Sequence, residues 1–196
     1  MKNFAFNALI ARMKYITRWG LMRAGRAESL SEHTADTAIL AHTLALVSVK
    51  IFDTNVRPET IAVAALYHDA SEILTGDMPT PVKYKNETLR SAYKALEAQA
   101  ADTLTALLPA ELQHEMGGYL HESVLTPAEQ KLLKAADRLS ALIKCIDEEQ
   151  SGNREFSGAK AQQTAALKAM ECREADYFMQ HMLPCYALTL DELSKA

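Results

Sequence analysis

From Pro58 to Leu74 the chain reads as one helix that is apolar nearly all round, since Ile61, Ala62, Val63, Ala64, Ala65 and Leu66 leave it no polar face. Such a helix has to be surrounded by other elements. It closes on Tyr67-His68-Asp69-Ala70-Ser71-Glu72, followed by Gly76-Asp77-Met78-Pro79-Thr80. Ionisable groups at the end of a buried helix are costly unless they are paired or coordinate a metal. At about 100° per residue, Glu72 falls roughly 40° round from His68, one turn along, and Asp69 and Glu72 can share a face. One imidazole and two carboxylates thus converge, which reads as part of a metal site with an acid or base beside it. A buried ion-pair network is the alternative.

The rest of the chain supplies helices to cover this one. Asn3 to Ile16 carries Phe6, Leu9, Ile10, Met13 and Ile16 at helical spacing. Leu21 to Leu30 is mixed and basic, and reads as a loop. Ser29-Leu30-Ser31-Glu32 fits a capping box and opens a helix to about Ile51. Its expected buried stripe is Ala35, Ala38, Ile39, His42, Leu46 and Val49, which leaves His33 in the first turn, off the stripe. Gly76 can end the central helix, and Pro79 and Pro81 predict a stiff non-helical loop over 77–81. Tyr84 to Leu108 is amphipathic and closed by Pro109. Glu111 to Ser123, with Gly117-Gly118, reads as a short helix and a loop whose His114 and His121 are on the surface. Thr126-Pro127-Ala128-Glu129 is a second capping box, opening a helix to about Gln150 that carries Asp137 mid-run. A mid-helix Asp is there for solvent, for a neighbouring Lys, or as a ligand. A last helix runs from about Ser157 to Met182. No stretch is a convincing strand and none marks a second domain. The fold class is therefore all-α, in one domain over 1–196.

Bulk properties narrow the function. A net charge of −4 gives no basic surface for a nucleic-acid polymer. No apolar run approaches the ~20 residues needed to span a membrane, and Met1 to Phe6 lacks the core of a signal peptide. A cytoplasmic protein is expected. The three cysteines, Cys145, Cys172 and Cys185, form no C-x-x-C and read as reduced packing residues.

Taken in order, His33, His68-Asp69 and Asp137 give the pattern H…HD…D, the signature of the HD-domain metal-dependent phosphohydrolases. Arg18-Trp19, Ser31-Glu32-His33, Tyr67 to Glu72, Thr75-Gly76-Asp77, Pro79 to Tyr84, Lys134 to Asp137 and Asp176-Tyr177-Phe178 extend the likeness. Together they closely resemble the bacterial HD-domain 5′-deoxynucleotidases. Two imidazoles and two carboxylates suit a divalent transition metal. The resemblance implies one ion, Co²⁺ or Mn²⁺ by preference with Cu²⁺ admitted, held by His33, His68, Asp69 and Asp137.

It further implies catalytic roles for Glu72 and Asp77. Substrate contacts fall to Arg18 on the phosphate, Trp19 against the sugar, Thr80, and the ligands Asp69 and Asp137. On pattern alone Arg18-Trp19 is a core anchor beside a solvated charge; the resemblance turns it to the substrate. The implied substrate is a 2′-deoxyribonucleoside 5′-monophosphate, and the implied partner is a second copy of the chain. Two alternatives stay open: another HD phosphohydrolase, acting on a triphosphate, cyclic nucleotide or alarmone, and a non-catalytic helical metal-binding scaffold.

Overall fold

A computed structural model describes residues 3–83 and 85–195, the side chain of Thr80 excepted. The described residues are helical, with a single isolated bridge, Thr17 to Ser29, as the only extended pairing among them. The helices are α1 (Phe6–Ile10, continued by a tighter turn Ala11–Tyr15), α2 (Leu30–Lys50), α3 (Pro58–Tyr67), α4 (Glu72–Thr75), α5 (Thr80–Lys83) and α6 (Glu87–Ala106). They continue with α7 (Ala110–Leu120), α8 (Pro127–Gln150), α9 (Ser157–Ala169), α10 (Arg173–His181) and α11 (Leu190–Leu193). Among the described residues no helix is long and apolar enough to cross a membrane.

Small residues bring the central helices together. Ala41 and Ala45 of α2, Ala64 and Ala65 of α3, and Ala135 and Ala136 of α8 are all sealed from solvent. Close backbones let Leu44, Ile61, Leu139 and Leu142 interlock in one core with α9 and α10. A second core gathers Phe6, Ala70, Ala101, Leu104, Leu108 and Leu120. Ala65 belongs to the first core and Ala70 to the second, so His68 and Asp69 sit where the chain crosses between them.

Both capping boxes form. Ser29 accepts from the Glu32 N–H and Thr126 from the Glu129 N–H, each with the reciprocal glutamate bond. Glu129 does more than cap α8. It is buried, and it accepts from the Arg57 backbone N–H at 2.9 Å, Arg57 Nε at 2.8 Å and the Thr126 N–H at 2.8 Å. It thus ties the start of α3 to the start of α8. Hydrogen bonding from the Arg57 side chain holds its carboxyl down at about 2, against burial and helped by the Thr126 and Arg57 N–H groups. A depressed carboxyl stabilises the fold above its unfolded value and stops doing so as pH falls towards the folded one. Glu129→Gln is accordingly expected to be less stable than wild type at pH 7, with the gap closing between about pH 4.5 and about pH 2. Urea midpoints across that range check this; a gap that persists at pH 2 would point to lost packing instead.

Five expectations need correction. The buried face of α2 is not the Ala35–Val49 stripe: Ile39 is 66% exposed and Leu46 38%, while His33, Thr34, Thr37 and Ser48 are inside. The central helix does not reach Leu74. It stops at Tyr67, where the Ala65 carbonyl accepts from the His68 ring and the next bonds run Ala70 to Tyr67 and Glu72 to Asp69. Thr80–Lys83 is a single helical turn, which Pro81 tolerates near its start. Gly117-Gly118 lies within α7, and a Cβ on Gly118 would stand 2.7 Å from the Val124 side chain. The last predicted helix is two, parted at Glu171, whose φ is 48°. His114 and His121 are on the surface as expected, and the three cysteines are free.

Candidate active site

The short turn after α3 decides the geometry. In a three-residue turn, positions three apart eclipse. The Glu72 N–H bonds the Asp69 carbonyl at 3.0 Å, so the tightened turn brings Glu72 towards the face of Asp69 more than a continuous α-helix would. His68 Nδ1 faces the Ala65 carbonyl at 2.7 Å. A carbonyl only accepts, so Nδ1 carries a proton and Nε2 is the nitrogen left to take a second proton or a cation. His33, at the start of α2, is fully buried, with Nδ1 3.0 Å from Ser140 Oγ of α8.

Both Nε2 atoms point at carboxylates. His68 Nε2 lies 3.1 Å from Asp69 Oδ2, His33 Nε2 3.4 Å from the same oxygen, and His33 Nε2 3.4 Å from Asp137 Oδ1. Neither Nε2 has a hydrogen-bond partner among the described residues, and the same holds for Glu72 Oε2. Two donors each about 2.1 Å from one ion, at 90–110°, stand about 3.0–3.4 Å apart. The separations fit a shared cation better than they fit hydrogen bonds. His33, His68 and Asp69 each offer a ligand atom within 4.8 Å of the others, and Asp137 joins through His33.

The local field favours positive charge. Burial opposes a charged His68, but Asp69, Asp137 and the Ala65 carbonyl together outweigh it, and the ring is pushed up to about 9. Asp69 and Asp137 are held well below the usual carboxylate range despite burial, Asp69 chiefly by His68 and Asp137 chiefly by Lys134, whose Nζ is 2.6 Å away. What favours a proton on a buried imidazole also favours a cation in its place. Glu72 is only 6% exposed, and burial, then Asp69 and Asp77, push its carboxyl up to about 9. Asp77 follows Gly76, which turns the chain at φ 76°, and burial raises Asp77 too, with Arg18 opposing.

Arg18 and Trp19 form the rim. Arg18 Nη1 stands 3.5 Å from Asp69 Oδ2, and its Nε donates to Glu28 Oε2 at 3.3 Å. Trp19 donates from Nε1 to that same oxygen at 2.8 Å and packs edge-on against Phe156. Trp19 sits at φ 61°, a left-handed conformation that costs a bulky residue about 1–3 kcal/mol and clusters at functional sites. A cavity of about 760 Å³ takes Glu28 and Ser140 into its wall, with Ile39, Lys144 and Tyr186, and is lined by none of His33, His68, Asp69 and Asp137.

A family model described as YfbR-like 5′-deoxynucleotidase matches residues 5–186. The chain belongs to this family. A 5′-deoxynucleotidase of Cronobacter sakazakii is 46% identical, covering 100% of this chain and 98% of that protein. The 5′-deoxynucleotidase YfbR of Escherichia coli is 45% identical over the same shares. An HD-domain phosphohydrolase from Listeria innocua superposes with a TM-score of 0.81 at 24% identity, over 92% of this chain and 87% of that one. A cyanophage S-2L HD phosphohydrolase, bound to dA and one catalytic Zn²⁺ ion, gives 0.66 at 17%, over 90% and 95%. These two structures speak to the fold, which is that of the HD phosphohydrolases.

Of the residues that the sequence singles out in this YfbR-like chain, His33, His68 and Asp69 meet, Asp137 reaches them through His33, Arg18 stands on Asp69, and the charges of Asp69 and Asp77 both act on Glu72. The Thr80 side chain lies outside the described residues. Arg23 and Arg26 are surface residues paired with Glu155 and Glu32. Three residues escaped sequence reasoning. Ser140 was legible in principle, standing one turn after Asp137 on the same face. Glu28 and Glu122 lie in irregular segments with no period to expose them; in the α7–α8 connection burial raises the Glu122 carboxyl, with the charge of His68 opposing and those of Asp69 and Asp137 adding to it.

Proposed function

We propose that the chain hydrolyses 2′-deoxyribonucleoside 5′-monophosphates to the deoxynucleoside and phosphate, with little selectivity for the base. The observation that carries this reading is the pair of buried, unpartnered Nε2 atoms aimed at two carboxylates beside a guanidinium, in a full-length relative of named 5′-deoxynucleotidases. His33, His68, Asp69 and Asp137 hold one divalent cation, with Co²⁺ or Mn²⁺ preferred and Cu²⁺ accepted. When bound, such an ion supplies Lewis acidity and lowers the pKa of water from about 15.7 towards about 7.

The chain's own groups do the rest. Arg18 forks onto the phosphate, as a planar guanidinium does well. Glu72, turned towards the face of Asp69, orients the attacking water and takes its proton. Asp77 either gives a proton to the 5′-oxygen or helps to place the nucleophile. Thr80 contributes a substrate contact from the turn that follows, and Asp69 and Asp137 face the phosphate as well as the ion. Trp19 lies where a ribonucleotide carries its 2′-hydroxyl, rejecting it sterically and offering it no good partner. One HD-domain unit over 1–196, working as a homodimer in the cytoplasm where these monophosphates occur, completes the reading.

The direct test is phosphate release from a panel of nucleotides, deoxy against ribo and 5′ against 3′, with several divalent ions. The expected result is turnover of every 2′-deoxy 5′-monophosphate and little of the rest; AMP cleaved as fast as dAMP would refute the sugar claim. Trp19→Ala is expected to lower the dAMP-to-AMP ratio of kcat/KM by about tenfold, the scale of a lost steric exclusion. An unchanged ratio would remove Trp19 from the discrimination.

A further inference from the structure

We propose that Glu28 is a positioning residue that sets both substrate-facing side chains at once, aiming Arg18 and Trp19 from a single carboxylate oxygen. The proposal rests on the reading of Arg18 and Trp19 given above. Glu28 Oε2 accepts from Arg18 Nε at 3.3 Å and from Trp19 Nε1 at 2.8 Å. Glu28 and Arg18 side chains are only 11% and 13% exposed, so the shared bonds are shielded from competing water.

Two neighbouring side chains pointing along a loop have no reason to keep a common orientation. Arg has long rotamer freedom, and Trp19 sits on a left-handed residue with an exposed glycine after it. The carboxylate removes that freedom on one side, while Asp69 at 3.5 Å fixes the guanidinium from the other and Phe156 braces the indole edge. The plane that meets the phosphate and the ring that meets the sugar are thereby held in a fixed relation.

The loop itself does not need this side chain. The Arg18 N–H donates to the Glu28 carbonyl at 2.9 Å, the Leu30 N–H to the Ile16 carbonyl at 2.8 Å, and Thr17 bridges Ser29. Those bonds are all backbone and survive substitution of the carboxylate. The side chain is spent on the two rim residues.

Trp19 is the only tryptophan in the chain, which gives the test a readout independent of catalysis. A ¹H–¹⁵N spectrum of the protein holds one indole N–H resonance. Glu28→Ala is expected to move it upfield, as a charge-assisted bond is lost. With Mn²⁺, the same variant is expected to raise KM for dAMP about tenfold with a smaller change in kcat, and to lower the dAMP-to-AMP ratio as far as Trp19→Ala does. Glu28→Gln, whose carbonyl can accept from the same two donors, is expected to recover most of both and guards against simple misfolding. In a Trp19→Phe background, which lacks the indole N–H, Glu28→Ala should no longer change the ratio.

An indole resonance that stays in place in Glu28→Ala, or equal losses on dAMP and AMP with the ratio intact, would overturn the proposal. A wild-type chain without any deoxy preference would overturn the sugar claim of the proposed function alone; the indole shift and the rise in KM would still decide Glu28.

Discussion

Glu72→Gln is expected to keep its divalent cation and to lose about 10³-fold in kcat on dAMP, within the span that general acid–base groups contribute. The tightened turn after Tyr67 brings Glu72 towards the face of Asp69. Glu72 is therefore close to the cation set without being one of its imidazole-facing members. Its Oε2 is buried with no hydrogen-bond partner among the described residues, a state that a structural glutamate avoids. Burial and the charges of Asp69 and Asp77 push the carboxyl up to about 9. A cation's charge beside Asp69 opposes the second of those causes and leaves burial, so the group remains a better base than a solvated carboxylate. Glutamine keeps the shape and removes the base. Metal content by mass spectrometry, measured alongside turnover, separates the roles: cation lost together with activity would make Glu72 a ligand.

Helix starts were the most legible part of the fold, because Ser29 and Thr126 declare their caps by residue type and spacing alone. The inner face of α2 was not. Ile39 and Leu46 look like core, yet they are exposed, and the interior carries His33 on Ser140 and Ser48 on Glu174. Polar residues go inside when a distant partner satisfies them, and hydrophobic periodicity does not register partners more than a hundred residues away. The break at His68 was hidden for a related reason. No proline or glycine marks it; the ring of His68 turns back on the Ala65 carbonyl, a local contact that helix propensity does not encode.

The site divides along the same line. The proposed cation set, His33, His68, Asp69 and Asp137, is suggested by type and order, since few side chains bind a transition metal and four appear in a recognisable succession. The residues that hold them could not. Glu28 reaches Trp19 from nine positions away across an irregular loop, and nothing in its surroundings distinguishes it from a solvated charge.

Asp69→Asn is expected to weaken Mn²⁺ or Co²⁺ binding by well over a hundredfold, beyond what loss of a supporting hydrogen bond costs, and to leave no measurable hydrolysis. Asp69 is the hub. Its Oδ2 stands 3.1 Å from His68 Nε2, 3.4 Å from His33 Nε2 and 3.5 Å from Arg18 Nη1, so one oxygen faces both imidazoles and the Arg18 guanidinium. The amide keeps the volume but removes the negative charge and offers a carbonyl or an N–H₂ group in its place. The two Nε2 atoms then keep Asp137 as the remaining carboxylate aimed at them through His33. Calorimetric titration reads the affinity directly. Thermal melting gives an independent readout, because a ligand that binds only the folded state raises its stability by mass action. Wild type should gain in Tm on adding either ion, and Asp69→Asn should gain little at the same concentrations. Equal gains in the two proteins would move the cation away from Asp69 and out of the site assembled around it.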